Sequence, residues 1–404
     1  MPADDLAIDR LVRLSPLEAT IGIPIGDHDG APPLPDPPPG LRPLEALERA
    51  MVGALEHAPC LVDFSGGRDS SAVLAVAARV ARREGLPLPI PSTYRFRGRP
   101  EADESHWQEL VIRHLELPDW HRREFDDELD LLGPVAQDVL KRHGLIAPCT
   151  AYAGLPSLMD AAGGTAVSGL EGDGLFGGWS FARAWSVLKG SVRPEWRDFL
   201  RIARLGAPDA ARQRLTRRRF SLDADWVPAE AAAELEGRLA AEIASEPRRW
   251  DRRVDWWSRG RLLAMLRQAN EVLARDAGAR MVHPLLDPLF LAAMARAGGR
   301  SGFGDRTSAM KMVFGDLLPA AVLSRADKAD FTFVYFSDAS KAFADHWSGN
   351  GVSPDLVDSE ALRATWKLEP PAWPDMRSGL LLQAAWLADS GIRDGEDHFN
   401  CAVE

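Results

Sequence analysis

The sequence CLVDFSGGRDSS, residues 60–71, passes from a short apolar run through two glycines into an alanine- and valine-rich segment. The apolar residues Leu61, Val62 and Phe64 predict a short strand, which the glycines end. Apolar spacing over residues 70–83 predicts a helix, and we expect this helix to end at Gly85. A strand, a glycine turn and a helix in this order indicate a unit of an α/β fold.

The turn Ser65-Gly66-Gly67-Arg68-Asp69-Ser70-Ser71 has the composition of a pyrophosphate-binding loop. Glycines let the backbone approach phosphate oxygens, the start of a helix offers free N–H groups, and serine hydroxyls add donors. Unlike the loop GxxxxGK[ST], this turn contains no lysine but carries Asp69. We expect Asp69 to hold a magnesium ion against the phosphates. The alternative is an ordinary serine-capped turn.

The segments around this turn continue the alternation of strands and helices. Residues 44–57 have helical spacing, 90–96 (IPSTYRF) resemble a strand, 104–115 resemble a helix, and 163–179 predict a strand leading into a glycine turn. This alternation predicts a parallel sheet. Beyond Trp179 long helical segments follow, including 226–244 and 256–277. We therefore predict an α/β core over residues 46–190 and a mainly helical lobe over 191–404.

The first 45 residues are predicted to form an N-terminal arm. Residues 31–43, APPLPDPPPGLRP, cannot form a regular helix or a central strand because proline lacks the backbone donor, so we interpret them as a linker. Residues 14–26, LSPLEATIGIPIG, have a short apolar alternation that predicts one or two strands packed on the main body.

Composition narrows the class of protein. A chain of 404 residues with 46% apolar and 26% charged residues is typical of a soluble globular protein. Its net charge of −11 disfavours a nucleic-acid partner, although five arginines in residues 212–219 form either a solvated helix face or a surface that steers an acidic substrate. Three separated cysteines predict neither a zinc site nor a disulfide framework. Without a signal or membrane-spanning pattern, we expect a cytoplasmic protein without a membrane partner.

The complete loop of residues 65–71 resembles the phosphate loop, SGGxDSS, of the asparagine-synthetase-like ATP-pyrophosphatases. This family includes β-lactam synthetases and lasso-peptide cyclases. The resemblance implies a HUP-like core of the adenine nucleotide alpha hydrolase type, with ATP and Mg²⁺ as cofactors. It also implies that the whole loop, from Ser65 to Ser71, binds the nucleotide.

Further stretches extend the resemblance in the order typical of the family. Residues 168–178, SGLEGDGLFGG, are similar to its second motif, which implies that Asp173 is the other magnesium ligand and that Gly169 and Gly172 bind the nucleotide. Residues 325–331, RADKADF, are similar to a late loop whose lysine reaches the acyl-adenylate. Lys328 is thereby implied to be catalytic, together with Asp69 and Asp173, and Lys311 is the second candidate.

Two shorter matches are open to other interpretations. The dipeptide Asp103-Glu104 resembles an acidic pair near the nucleotide, but it also suits the start of a helix. Residues 283–287, HPLLD, resemble a family segment PFLD, in which we expect Asp287 to be structural. Trp179, Trp256 and Trp257 either line a substrate pocket or belong to the core.

Departures from the family pattern indicate the kind of substrate. Pro2 stands where glutamine-dependent members carry a catalytic cysteine, so we expect no glutaminase domain and no glutamine cleavage in cis. Leu170 replaces a glutamate of the asparagine synthetase motif, Gly174 replaces an acid, and Val282 replaces an arginine. An apolar group cannot replace a carboxylate that recognises an ammonium group. Free aspartate is therefore disfavoured as the substrate.

These observations predict an AMP-forming amide ligase of peptide or natural-product biosynthesis. ATP would activate a carboxylate as its adenylate, and an amine would attack this adenylate. The amine would belong either to the same molecule, as in lasso-cyclase-like macrolactam formation, or to a second molecule. A peptide is a candidate substrate, and a precursor-recognition protein or a glutaminase is a candidate partner. The alternatives are an ammonia-dependent asparagine synthetase, a non-catalytic nucleotide-binding partner of a biosynthetic complex, and a transfer-RNA-modifying pyrophosphatase, which the acidic charge disfavours.

Overall fold

The fold is centred on a parallel sheet of five strands. A computed structural model of the chain describes residues 12–327, 329–368 and 377–391. The strands are β1 (Cys60–Asp63), β2 (Ile90–Phe96), β3 (His121–Phe125), β4 (Thr165–Val167) and β5 (Arg280–Val282), in the order β3-β2-β1-β4-β5. In the central register, Leu61 of β1 pairs with Ile90 on one side and with Ala166 on the other. The predicted parallel α/β core with a largely helical second half is thus confirmed.

Helices surround this sheet and form most of the second half of the described chain. In chain order they are α1 (Pro16–Ala19), α2 (Pro43–Leu55), α3 (Arg68–Glu84), α4 (Ser105–Leu115), α5 (Pro134–His143), α6 (Leu155–Asp160), α7 (Gly172–Phe176), α8 (Ala182–Leu188), α9 (Trp196–Gly206), α10 (Asp209–Arg219), α11 (Ala229–Ser245), α12 (Trp250–Ser258), α13 (Arg261–Asp276), α14 (Pro288–Gly298), α15 (Arg306–Phe314), α16 (Ala320–Ser324), α17 (Thr332–Tyr335), α18 (Asp338–His346), α19 (Ser359–Trp366) and α20 (Gly379–Asp389). Short 3₁₀ turns occur at Pro100–Ala102, Ala151–Gly154 and Pro284–Leu286. Along the described residues, no helix combines the length and apolar character needed to cross a bilayer.

Both faces of the sheet are buried under helices. Val62 of β1 and Val167 of β4 belong to a core shared with α2, α3 and α14, whereas Leu61 and Ala166 belong to a second core shared with α5, α13 and α20. Successive strand residues point to opposite faces, so these two-sided apolar strands match burial on both sides. Functional groups are therefore expected at the carboxyl ends of the strands, where the core ends.

Two elements differ from the sequence prediction. The expected strand in residues 14–26 is wrong, because Ser15 and Glu18 form a capping box and Pro16 favours the first turn of a helix, so this segment begins with α1. The expected helix 256–277 is divided into α12 and α13 at Gly260, which forms an antiparallel bridge with Asp27. Residues 31–42 contain no regular element, as predicted for the linker.

Candidate active site

The phosphate loop lies between β1 and α3 and is held by its own hydroxyl groups. Gly66 has a φ of +88°, and a Cβ there would lie 3.0 Å from the Gln108 side chain, so only glycine fits without strain. Ser65 Oγ accepts a hydrogen bond from the Gly67 N–H at 3.2 Å, and Ser70 Oγ accepts one from the Ser65 N–H at 3.3 Å. The loop therefore places its backbone and hydroxyl groups beside the start of α3.

The second glycine loop, between β4 and α7, packs directly against the phosphate loop. A Cβ on Gly169 would lie 2.8 Å from the Ser70 nitrogen, and one on Gly172 would lie 2.2 Å from Asp69 Cγ. Glycine is needed at both positions because no side-chain carbon tolerates contacts this short. The structure thus brings together two motifs that are about 100 residues apart, as the parallel sheet predicts.

Asp69 and Asp173 meet at Arg306. The Arg306 guanidinium donates to Asp69 Oδ2 at 2.7 Å through one nitrogen and pairs with Asp173 through the other. Burial raises the pKa of Asp69, the positive charge of Arg306 opposes this rise, and the negative charge of Asp173 adds to it. Two neighbouring carboxylates are a suitable environment for a divalent cation.

The donor atoms at this point fit magnesium. Asp69 Oδ1 is buried and has no hydrogen-bond partner among the described residues, although Oδ2 of the same carboxylate is paired with Arg306. Groups of three or more His, Cys, Asp and Glu side chains that could hold a metal are absent from the described residues. Magnesium does not require such a group, since it keeps several waters and binds through one or two carboxylates with substrate phosphates.

Arg325 connects the late loop to the phosphate loop. Its guanidinium is buried, donates to Glu104 Oε1 at 2.5 Å, and donates to the Gly66 carbonyl oxygen at 2.8 Å. Trp107 Nε1 donates to Asp327 Oδ2 at 2.8 Å. Glu104 thus contacts the late loop directly, while its neighbour Asp103 accepts from the Ser105 N–H at the start of α4.

The predicted catalytic lysine, Lys328, lies outside the described residues. Arg325, Ala326 and Asp327, which precede it, line the main cavity, and so does Phe331, which follows it. Lys311, the second candidate, is an exposed residue of α15 and is not among the residues that line this cavity. Its surroundings therefore do not support a catalytic role.

The main cavity has a volume of about 530 Å³ and extends over the carboxyl ends of β1 and β2. At one end it is polar, with the phosphate loop, both aspartates, Arg306 and Arg325. Arg68, also in its wall, donates to Thr307 Oγ1 at 3.3 Å and so joins α3 to α15. The other end is apolar, and its lining includes Phe96, Ala102, Ala153, Phe331 and Tyr335.

Asp63 is a half-buried polar residue in the wall of the main cavity. Its Oδ1 accepts a hydrogen bond from Ser157 Oγ at 2.5 Å, and the Ser157 N–H donates to the Tyr94 hydroxyl at 2.9 Å. Burial raises the pKa of Asp63 to about 6, and the serine bond opposes this rise. A carboxyl group held in this way can donate or accept a hydrogen bond near neutral pH.

The HPLLD stretch is hydrogen-bonded to the second glycine loop. His283 Nδ1 is hydrogen-bonded to Ser168 Oγ at 2.7 Å, and Ser168 Oγ accepts from the Leu170 N–H at 3.2 Å. Burial lowers the pKa of His283 to about 4, with the positive charge of Arg267 acting in the same direction, so the ring is neutral. Asp287 accepts from the Phe290 N–H at 2.8 Å and caps α14, in accordance with the expected structural role.

A second, smaller pocket of about 290 Å³ adjoins the first, because Arg306 lines both. Aromatic side chains form much of its wall, namely Phe176, Trp179, Trp250 and Phe303. Trp179 is thus both a core residue and part of a pocket wall, whereas Trp257 packs against the core. The pocket is suited to an apolar group.

Sequence reasoning gave no role to Arg306 or Arg325. Arg325 begins the quoted RADKADF stretch, but its partner Glu104 lies 221 residues earlier in the chain. Arg306 is the first residue of α15, after the capping residue Asp305. A cation in the first turn of a helix interacts unfavourably with the helix dipole. This position was the one local signal that Arg306 has a partner elsewhere in the fold.

Residues 44–388 match the asparagine synthase family. The match covers most of the chain and includes both glycine loops, so the chain belongs to this family of ATP-dependent, amide-forming ligases. No curated protein matches the chain.

Proposed function

We propose that the protein activates a carboxylate with ATP and joins it to an amine, releasing AMP and pyrophosphate. The observation that carries this proposal is the meeting of Asp69 and Asp173, from the ends of two neighbouring strands, beside the phosphate loop and at the edge of a cavity of about 530 Å³. Phosphoryl chemistry requires a cation held next to a phosphate cradle.

The proposed reaction has two steps. A carboxylate oxygen attacks the α-phosphorus of ATP, the bond from that phosphorus to the bridging oxygen breaks, and pyrophosphate leaves. The amine then attacks the acyl carbon, AMP leaves, and the amine nitrogen loses a proton. Both steps develop negative charge on oxygen, which fixed cations stabilise.

Named residues would support these steps. Asp69 and Asp173 would hold Mg²⁺, which when bound supplies positive charge against the phosphates. Arg306 pairs with the same two carboxylates in the structure, so its guanidinium would be free to pair with phosphate oxygens if Asp69 and Asp173 held the metal ion. On the family resemblance, Lys328 would stabilise the charge on the acyl adenylate.

An acyl donor or amine with an apolar group suits the site better than aspartate does. The aromatic pocket of about 290 Å³ adjoins the main cavity at Arg306, which lines both. Leu170 provides no charge to recognise the ammonium group of an amino acid. These features favour a peptide or natural-product substrate, including one whose own amine closes a macrolactam.

The experiment that tests the proposal is ATP–pyrophosphate isotope exchange with Mg²⁺ against a panel of amino acids, amino-bearing carboxylates and peptides. We expect exchange with one class of carboxylate, its loss in Asp69→Ala, and its retention in the control Asp138→Ala, an exposed aspartate of α5. Exchange that persists in Asp69→Ala would refute the magnesium assignment. Formation of asparagine from aspartate and ammonium would instead favour the asparagine synthetase alternative.

ATP binding without exchange for any member of the panel would contradict the proposed activity and favour the non-catalytic alternative. The panel should therefore include mixtures of short peptides with free amino and carboxyl groups, because the aromatic pocket favours bulky apolar substrates.

A further inference from the structure

The carboxyl group of Asp63 lies in the wall of the main cavity and takes no part in the reaction proposed above. Its Oδ1 accepts from Ser157 Oγ at 2.5 Å, whereas its Oδ2 has no hydrogen-bond partner among the described residues. Asp63 also forms no ion pair with any residue that the structure describes. A half-buried carboxylate that lacks a donor for one of its oxygens is suited to accept a hydrogen bond from a ligand.

Tyr94, on the neighbouring strand β2, adds a hydrogen-bond donor to the same wall. Its hydroxyl oxygen accepts from the Ser157 N–H at 2.9 Å, and within the described chain no group accepts the hydroxyl proton. Ser157 therefore holds both groups, Asp63 through its side chain and Tyr94 through its backbone. A ligand that presents a donor and an acceptor side by side would satisfy both.

The charge of Asp63 determines which ligand group it accepts from. Burial raises the pKa of Asp63 to about 6, although the hydrogen bond from Ser157 acts in the opposite direction. The carboxyl group is therefore ionised at pH 8 and can only accept hydrogen bonds. It attracts an amino group and repels a carbonyl oxygen.

The position of this pair indicates which part of a nucleotide it meets. Asp63 ends β1, and the phosphate loop begins two residues later at Ser65. A strand rises about 3.3 Å per residue, so the backbone of Asp63 lies on the order of 7 Å from the start of the loop. A nucleotide bound by its phosphates at the loop must place its ribose and base in the same cavity, over the carboxyl ends of the strands.

The main cavity also offers apolar surface to the flat face of a base. Its lining includes Ala153 and Gly154, just before α6, and Phe96 and Phe331. The rings of Phe96 and Phe331 pack edge to face with their centroids 5.9 Å apart. An apolar lining with a few convergent polar groups is the usual composition of a site for a small ligand, in which the polar groups give specificity.

We propose that Asp63 and Tyr94 contact the edge of the purine base and give the site its preference for adenine. Asp63 accepts from the 6-amino group, and Tyr94 donates to the ring nitrogen beside it. Hypoxanthine bound in the same orientation turns a 6-oxo group toward the carboxylate, and two acceptors that face each other repel. This inference rests on the use of ATP in the proposed function and adds the residues that select the base.

The alternative ligand for Asp63 is an ammonium group of the amine substrate. Such a group would satisfy the carboxylate, but it has only donors, so the Tyr94 hydroxyl proton would still lack an acceptor. The adjacent acceptor and donor therefore favour the base.

The test is isothermal titration calorimetry at pH 8 with Mg²⁺ and without a carboxylate substrate, so that binding is measured without amide formation. ATP is compared with inosine triphosphate, which carries an oxo group at position 6. The variants are Asp63→Asn, whose amide can donate to a 6-oxo group, and Tyr94→Phe, which removes only the hydroxyl group. Asp138→Asn, at an exposed residue of α5, is the matched control. Circular dichroism and thermal melting verify the fold of each variant.

We expect the wild type to bind ATP at least tenfold more tightly than inosine triphosphate, and Asp63→Asn to reduce this ratio at least tenfold. Tyr94→Phe should weaken the binding of both nucleotides about threefold or more and leave their ratio unchanged, because the hydroxyl group can donate to either base or accept from it. Asp138→Asn should keep the wild-type affinities.

Equal affinity of the wild type for the two nucleotides would overturn the proposal, and so would an unchanged ratio in Asp63→Asn, which the ammonium alternative predicts. An unchanged affinity of Tyr94→Phe for ATP would also overturn it. These results would leave the proposed ligase activity intact. Absence of ATP binding to the wild type would instead overturn this inference and the proposed function together.

Discussion

Replacing Gly172 with alanine tests whether contact between the two glycine loops sets the position of Asp69. The added methyl carbon would lie 2.2 Å from Asp69 Cγ and 2.5 Å from its Oδ1. Ordinary carbon contacts begin at 3.4 Å, so the aspartate or the loop must move by about 1 Å. The φ of Gly172 is not positive, so the change introduces crowding and no backbone strain.

A shift of this size is expected to reduce activity far more than it reduces stability. A displacement of about 1 Å in a catalytic group can lower a rate by about a hundredfold. Crowding of this kind in a packed region costs about 1–3 kcal/mol of unfolding free energy. We therefore expect the exchange rate at saturating Mg²⁺ to fall by about two orders of magnitude while the protein remains folded.

The assay is ATP–pyrophosphate exchange measured over a range of Mg²⁺ concentrations, together with thermal unfolding. Gly53→Ala, in the interior of α2 with no atom within 4 Å of the new methyl group, is the control and should be active and slightly more stable. If Gly172→Ala catalysed exchange at the wild-type rate and with the same dependence on Mg²⁺, the reasoning that this contact fixes the metal site would be refuted.

Three further predictions concern charged groups. Glu104→Gln removes the buried charge partner of Arg325, whose other ion pair, with the exposed Asp327, is longer at 3.5 Å. The substitution should lower the unfolding free energy, measured in urea, by about 3 kcal/mol. Asp103→Asn, at the exposed neighbouring residue, should cost no more than about 1 kcal/mol, and equal losses would contradict this. Arg306→Ala removes the cation that competes with Mg²⁺ for the two aspartates, so calorimetry without ATP should show tighter Mg²⁺ binding. The rate of ATP–pyrophosphate exchange should nevertheless fall at least tenfold. Weaker Mg²⁺ binding would contradict the assignment. The pKa of Asp63 is raised from 3.8 to about 6 in the folded protein, so the folded state binds the extra proton between these values and stability falls as pH rises through them. The difference in unfolding free energy between wild type and Asp63→Asn should accordingly fall by about 2 kcal/mol from pH 4 to pH 6, and a constant difference would show that Asp63 titrates normally.

The central strands and the two glycine loops could be predicted from sequence because their signals are local. β1 is a short, mainly apolar run, and β2 is rich in β-branched and aromatic residues; proline precedes each strand and glycine follows it. Each loop places its aspartate within a few residues of its glycines. Strand β3 was missed because its sequence, HRREF, contains four polar residues and lies at the edge of the sheet, where residues alternate between exposed and half-buried. Strand β5 has only three residues and directly follows a helical pattern.

The contacts that complete the site could not be predicted from a single sequence, because they join distant segments. Asp69 and Arg306 are separated by 237 residues, and Glu104 and Arg325 by 221. Nothing in the spacing of either pair distinguishes these arginines from the others in the chain. Their roles follow from tertiary packing, which brings α15 and the late loop to the carboxyl edge of the sheet.

The hydrogen bond from Arg325 to the Gly66 carbonyl oxygen has a thermodynamic consequence for how the two substrates affect each other's affinity. It connects the loop proposed to bind phosphate to the segment 325–327 in the cavity wall, so we expect a ligand that shifts one of them to change the free energy of the other. Such linkage is reciprocal. If bound nucleotide raises the affinity for the carboxylate substrate, the carboxylate must raise the affinity for nucleotide by the same factor, and Arg325→Lys should reduce both factors together.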